Sequence, residues 1–254
     1  MAHVETKSMN NGWYRFFKYV LIGPWLWLWN RPFTEGLGNV PKQGAAMVVS
    51  NHQAVMDSFY LPLVCPRQFT FPAKKEYFTG KGIIGSLQRF FFTSVGQVPI
   101  DRKAKDAGGA LVETAKSVFA RGDLLGIYPE GTRSPDGRVY RGRTGMARIA
   151  METDVPVIPV AMINVAKANP IGTWIPRPVK VGVRFGTPVS PHEWARKRGL
   201  DPKEHQTMRD FTDFIMHGLA ELTGVEYVDH YASEVKESLA AGNGYPEGAE
   251  PNQT

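Results

Sequence analysis

Cysteine is almost missing: Cys65 is the single one in 254 residues. An internal disulfide is therefore impossible, which fits a reducing compartment. Histidine is sparse as well, six residues scattered along the chain with no Cys/His cluster. A structural zinc site has no support, and no metal is expected. Long apolar runs are also lacking. The longest uncharged piece near the N-terminus, residues 19–30, would extend about 18 Å as a helix, short of the ~30 Å hydrocarbon core, and Pro24 interrupts it. No small-residue cleavage site follows, so a signal peptide is not expected. Internal repeats and heptad runs are absent, and charged residues make up 21%. This is a globular chain long enough for one full core, without a second domain of comparable size.

What is present is basic and locally aromatic. Thirty Lys and Arg against 24 Asp and Glu give a net charge of +6. Arg133, Arg138, Arg141, Arg143 and Arg148 face only one acid, Asp136, within residues 133–148. Such a surface implies an anionic partner: phosphate, nucleic acid or an acidic membrane. Residues 13–29 hold four of the six tryptophans, with Tyr14, Phe16, Phe17 and Tyr19 and the interspersed Arg15 and Lys18. Rings with one apolar and one wet edge, mixed with cations, suit the lipid headgroup boundary. The alternative is a helix packed on the core. Further on, Ile83, Ile84, Leu87 and Phe90 to Phe92 predict a short apolar helix, either core or a second lipid-touching patch.

Short apolar, β-prone runs predict strands at residues 45–49, 68–73, 96–100, 124–128, 155–160 and 179–185. The prolines of the 155–160 run place it near an edge or an irregular turn. Helical spacing appears at Leu111, Ala115, Val118 and Phe119, closed by Gly122, and helices are also expected over residues 141–152 and 201–224. Strands alternating with helices predict an α/β fold: a single-domain sandwich of helices around a mostly parallel or mixed sheet.

The stretch with chemistry in it is Asn51-His52-Gln53-Ala54-Val55-Met56-Asp57. It lies between a predicted strand and a helix that Asp57 or Ser58 would cap. On one continuous helix, side chains five positions apart diverge by about 140°. A strand-turn-helix instead lets Asp57 hydrogen-bond one ring nitrogen of His52 and leaves the other free to take a proton. A histidine at a strand end is, by itself, more often structural. Two further loops follow predicted strands: Asp101-Arg102, and Glu130-Gly131-Thr132-Arg133. Should those strands be neighbours, the loops meet at one end of the sheet. They would bring together a base with its orienter, a two-arginine anion site and a donor-rich glycine loop. That set suits acyl transfer to the hydroxyl of a phosphorylated acceptor: imidazole accepts the proton, and fixed donors hold the oxyanion. No Ser or Cys in these loops has a nucleophile's setting, so direct attack is expected rather than an acyl-enzyme.

The three loops, in this order, resemble blocks of the glycerolipid acyltransferase family, specifically its lysophosphatidic acid acyltransferases. NHxxxxD matches Asn51 to Asp57. The second block resembles Gly96-Gln97-Val98-Pro99-Ile100-Asp101-Arg102. FPEGTRS matches Tyr128-Pro129-Glu130-Gly131-Thr132-Arg133-Ser134, and VPVIPV is residues 155–160 unchanged. Ala54 stands where the first block often has Ser, and Pro99 where the second commonly has Phe. The resemblance implies an acyl-CoA or acyl-carrier-protein thioester as co-substrate, no cofactor, and a lysophospholipid acceptor. It further implies His52 as base, Asp57 as its partner, and Arg102 and Arg133 beside the acceptor phosphate. Gly131 and Thr132, with Glu130, are expected to supply loop and oxyanion or glycerol contacts. Glu130 is open between organising that loop and meeting glycerol hydroxyls.

The expected division is a membrane-interface segment at residues 1–35, an acyltransferase domain at 36–239 and a mobile tail at 240–254. The expected setting is peripheral or monotopic, on the cytoplasmic face of the cell membrane, with the bilayer surface and possibly acyl carrier protein as partners. Glycerol 3-phosphate or a phosphoinositide-type lipid are alternative acceptors. A phosphohydrolase would want a metal carboxylate cluster or covalent nucleophile. A non-catalytic membrane-binding protein leaves the His52–Asp57 pair unexplained. Nucleic-acid binding fits the net charge alone, and no nucleic-acid partner is expected.

Overall fold

The computed structural model describes residues 12–100, 107–173 and 175–252. Its strands are β1 (Phe33–Glu35), β2 (Ala46–Ser50), β3 (Phe69–Thr70), β4 (Pro72–Lys74), β5 (Val98–Ile100), β6 (Leu124–Ile127), β7 (Val139–Tyr140), β8 (Val157–Ile163), β9 (Gly182–Phe185) and β10 (Tyr227–Val228). The helices begin with α1 (Gly12–Phe16), which continues through a π turn at Phe17–Leu21 into α2 (Gly23–Asn30). They go on with α3 (Asp57–Val64), α4 (Glu76–Thr79), α5 (Gly82–Ser94), α6 (Ala107–Ala120) and α7 (Gly145–Thr153). The last are α8 (Val165–Ala168), α9 (Pro191–Arg196), α10 (His205–Thr223) and α11 (Ala232–Ala240).

Six strands form the main sheet in the order β1-β9-β8-β2-β6-β3. All pairs in it are parallel except β8–β9. The sheet is mixed and mostly parallel, as expected. Its central strands are apolar throughout because both faces are covered. Along β2, Ala46 and Val48 pack with Leu26, Tyr60, Leu61 and Phe69 on one side. Met47 and Val49 point the other way, toward Val112, Val118, Ile149, Phe211 and Ile215 of α6, α7 and α10. The two-residue period of the strand thus feeds two cores from one short run.

Several expectations are corrected. The 155–160 run is not near an edge: β8 sits between β2 and β9. Pro159 is tolerated there because its carbonyl accepts the Gly186 N–H at 2.8 Å. Its missing N–H therefore faces the same side, where β9 has already ended at Phe185. The 68–73 run splits, since Pro72 cannot continue the ladder; β3 stays in the main sheet while β4 pairs with β5 alone. The strand that precedes Asp101 and Arg102 in the sequence therefore belongs to a separate two-stranded sheet.

The N-terminal helices are neither wholly interfacial nor wholly core. Leu26 and Asn30 are buried, and Asn30 accepts from the Tyr60 hydroxyl (2.8 Å) while donating to the Arg177 and Val179 carbonyls. Lys18 donates to the Cys65 carbonyl. On the other side Trp13, Tyr19, Trp25, Trp27 and Leu28 face outward, Leu28 with 80% of its surface exposed. Helix α5 continues this surface: Ile83 is 82% exposed, with Ile84, Leu87 and Phe90 beside it. Trp13 meets Phe90 edge-on at 5.2 Å between centroids. Residues 83–90 are thus a patch rather than core. Among the described residues no helix is long and apolar enough to cross a membrane.

Part of the stretch assigned above to a mobile tail, around Ala249 and Glu250, lies against the domain. Ala249 is buried with Tyr140, Val228, Ala232 and Val235. Arg138 holds this stretch by donating to the Ala249 and Glu250 carbonyls at 2.5 and 3.1 Å. Those bonds satisfy backbone that the Gly- and Pro-rich composition alone would leave to water.

Candidate active site

Strands β2 and β6 run side by side and parallel, so the loops leaving their C-terminal ends meet. The first carries His52. Its backbone is fixed twice: its N–H donates to Glu130 Oε1 at 2.9 Å, and its carbonyl accepts the Ser134 N–H at 2.6 Å. Its neighbours are pinned too. Asn51 exchanges two hydrogen bonds with Met162 of β8, and the Gln53 side chain bridges Gly137, Val165 and Ala166.

Asp57 is fully buried at the first position of α3, yet no side chain caps that helix. Its carboxylate turns back instead. Oδ2 accepts from His52 Nδ1 at 2.9 Å, Gln53 N at 2.6 Å and Ala54 N at 2.8 Å. The two backbone donors build the tight turn that the five-residue spacing predicts. Because a carboxylate only accepts, Nδ1 carries the hydrogen and Nε2 presents its lone pair. His52 lines the cavity described below.

Tyr128 was missed as a site residue by sequence reasoning. The Tyr128 ring stacks on the His52 imidazole, centroids 4.0 Å apart and 13° from parallel. Its other stacking partner is Phe71 at 5.7 Å, and its hydroxyl shares a hydrogen bond with Ser58 Oγ at 3.0 Å. The Phe71 ring lies over Gly126 of β6, where a Cβ would come within 2.3 Å of it. Tyr128 stands at the Phe position of FPEGTRS, and that aromatic was the available signal.

In the Glu130-Gly131-Thr132-Arg133 loop the four residues differ in environment. Glu130 is 1% exposed and sits behind His52 rather than on the cavity wall. Burial, partly opposed by the His52 N–H, lifts its carboxyl from 4.5 to about 8. Gly131 takes φ of 71°, the left-handed region that favours glycine. Its N–H closes the turn on the Tyr128 carbonyl at 3.1 Å, so it is not the open oxyanion donor expected. The Thr132 hydroxyl accepts from Lys236 at 3.1 Å and keeps its own proton to donate. Arg133 lines the cavity together with Thr132 and Arg143. Asp101, Arg102, Lys103 and Lys105 fall outside the described residues, so the second arginine has no observed position. Among the described residues no group of His, Cys, Asp and Glu could hold a metal ion.

These side chains form the polar end of a half-open cavity of about 920 Å³. Much of the remaining wall is apolar, with Phe17, Ile22, Leu63, Phe91, Phe92 and Val95, although Lys18, Lys74 and Gln97 also line it. The cavity therefore runs from the catalytic-type pair toward the exposed aromatic surface. Its size is that of a drug-sized or lipid-chain ligand site.

Comparison with known proteins agrees with this geometry. Residues 31–163, just over half of the chain, match the family model described as Acyltransferase. A 1-acyl-sn-glycerol-3-phosphate acyltransferase of Limnanthes alba is 28% identical over 179 residues, 70% of this chain and 62% of the relative. A chloroplastic 1-acyl-sn-glycerol-3-phosphate acyltransferase of Arabidopsis thaliana is 31% identical over 140 residues, 55% of this chain and 38% of the relative. The chain thus spans less than two thirds of these relatives' length. The crystal structure of the 1-acyl-sn-glycerophosphate acyltransferase PlsC from Thermotoga maritima superposes with a TM-score of 0.58 at 29% identity, covering 79% of this chain and 76% of that one. By sequence, by fold and by the His52–Asp57 turn at the head of its sheet, this chain belongs to the acyltransferase family.

Proposed function

We propose that the protein transfers a fatty acyl group from an acyl-CoA or acyl-carrier-protein thioester to the free hydroxyl of lysophosphatidate, giving phosphatidate. The carrying observation is the His52–Asp57 pair, whose bonded nitrogen is Nδ1, at the wall of a cavity with a large apolar part. Nε2 takes the proton of the acceptor hydroxyl as its oxygen attacks the thioester carbonyl. The Thr132 hydroxyl donates to the resulting oxyanion. Collapse of the intermediate breaks the C–S bond, and the leaving thiolate takes the proton back from His52. Asp57 keeps the imidazole in the productive tautomer and stabilises its cationic form.

Arg133 holds the acceptor phosphate by a planar, two-pronged contact that places the hydroxyl. Arg102, two positions past the cavity-lining Ile100, is proposed to join it. Glu130 acts on the reaction through the His52 backbone, and the apolar wall takes an acyl chain. No cofactor enters this scheme. The exposed rings of α1, α2 and α5, with the net charge of +6, support a peripheral or monotopic position on the cytoplasmic face of a membrane.

The experiment is to incubate the purified protein with acyl-CoA, or acyl carrier protein loaded with the same chain, and follow free thiol. Release that requires lysophosphatidate is expected. Release without acceptor would make the protein a thioesterase, and preference for glycerol 3-phosphate would move the acceptor.

A further inference from the structure

The matched family stretch ends at residue 163, whereas the cations at the polar end of the cavity are met by a segment much later in the chain. Helix α11 is anchored by Ala232 and Val235, both buried against Tyr140 and Val228. Its Ser233 and Lys236 are three positions apart and so share one face. Ser233 Oγ accepts from Arg143 at 3.1 Å, and the Tyr231 ring lies 4.9 Å from the Arg143 guanidinium. Lys236 Nζ donates to Thr132 Oγ1 at 3.1 Å.

Lys236 is half-buried there, and burial together with the nearby Arg133 charge lowers its pKa. Glu130 acts on Lys236 in the opposite direction, and burial lifts its own carboxyl to about 8. Among the described residues the nearby ion pairs are Arg138 with Asp136 and Glu226 and Arg141 with Asp229; Arg133, Arg143 and Lys236 form none with a carboxylate. Three cations thus converge on one loop, none of them in an ion pair with a carboxylate among the described residues. A dianion would relieve that repulsion more than a monoanion would.

We propose that Lys236 is a further phosphate-binding residue, one that selects a phosphomonoester acceptor over a phosphodiester. This rests on the acyl-transfer reading above. A phosphomonoester carries about −1.5 to −2 near neutral pH, a diester one charge. Lysine is a compact point charge on a flexible stem, so it leaves Thr132 and meets the phosphate on the side away from the planar Arg133 contact.

The test compares the full-length wild type with Lys236→Met, Lys236→Gln and Lys236→Arg. Turnover is measured with lysophosphatidate, a lysophosphodiester and phosphate-free monoacylglycerol, and short-chain lysophosphatidate binding by calorimetry. The expected result for Met and Gln is a rise in lysophosphatidate KM and Kd of about tenfold or more, the usual weight of a charge-assisted contact. Monoacylglycerol turnover falls by a smaller factor than lysophosphatidate kcat/KM, because only the phosphate contact is specific to the latter, and Arg restores most of the binding.

Unchanged KM and Kd in Met and Gln overturn the proposal, as does wild-type behaviour of Gln, which keeps a donor but no charge. Equal losses with and without acceptor phosphate also overturn it, leaving Lys236 a support for the loop. If wild-type protein transfers no acyl group to any acceptor, the acyl-transfer reading falls and calorimetry decides: equal binding by wild type and Lys236→Met ends this proposal as well. Absence of lysophosphatidate binding by the wild type overturns both.

Discussion

Tyr128 and His52 lie face to face, their ring centroids 4.0 Å apart. The stack holds the imidazole plane while Asp57 holds one of its edges, so the open nitrogen has a fixed heading. Tyr128→Leu removes the stacking surface and is expected to lower kcat by about 3- to 10-fold, the scale of an aromatic pair, with acceptor KM little altered. Tyr128→Phe loses only the Ser58 hydrogen bond and stays closer to wild type. A Leu variant with full kcat would show that Asp57 alone aims the ring.

His52→Ala is expected to reduce kcat by about 10²–10⁴-fold, the usual worth of a general base, with donor binding nearly unchanged. Asp57→Asn costs the same or less, since the base remains. Near wild-type turnover of a folded His52→Ala sample would falsify the base assignment.

Arg133→Ala raises acceptor KM and also lowers kcat, because a loosened phosphate misplaces the hydroxyl. Arg133→Lys recovers part of the loss, lacking the planar fork. Steady-state kinetics on acceptors with and without phosphate check this, and equal losses on both would remove Arg133 from the phosphate site.

Glu130 gives the fold a pH dependence. Its carboxyl is lifted from 4.5 to about 8, first by burial, so the native state holds a proton that the unfolded chain releases. That contribution is complete below about pH 4.5 and is lost as pH rises through about 8. Glu130→Gln has no proton to release and can still accept the His52 N–H. Its melting temperature should therefore fall less than the wild type's between about pH 5 and 8.5. Parallel curves for the two proteins would mean that Glu130 is already ionised in the native state.

The outward rings can be removed without touching the core. Because Leu26 and Asn30 are buried, deleting residues 1–30 would uncover the domain; Trp25→Ser, Trp27→Ser and Leu28→Ser together do not. This triple variant is expected to keep its melting temperature and its turnover of a water-soluble, short-chain acceptor. Sedimentation with anionic vesicles drops about tenfold or more, given the area of two rings and a leucine. Wild-type protein should show a salt-sensitive part and a salt-resistant part of that binding. Undiminished sedimentation of the triple variant would place the contact elsewhere.

Much of this was readable before the fold was known. Strands β2, β6 and β8 are apolar at nearly every position, and the His52–Asp57 spacing made sense only across a turn. Other features depend on directions that spacing does not carry. Pro159 looked like an edge signal because its missing N–H was counted without knowing which neighbour it faces. Asp57 looked like a cap, but its carboxylate serves the turn before the helix. The stacking on His52 and the reach of Lys236 join residues 76 and 104 positions apart, beyond the range of any local pattern. The C-terminal stretch has a loose composition and is nonetheless held, through the guanidinium of Arg138.

The cavity wall and the outward surface share helices. Phe17 and Phe91 line the cavity and meet each other at 5.2 Å, while Trp13 and Phe90, one turn or one residue away, make the outer contact. Whatever settles on the outside must therefore act on the same helices as whatever enters the inside. Linkage then demands reciprocity: any factor by which a vesicle surface tightens acyl-ligand binding is the factor by which that ligand tightens attachment to the vesicle. Occupied and empty protein would partition differently between membrane and solution, with no separate regulatory site.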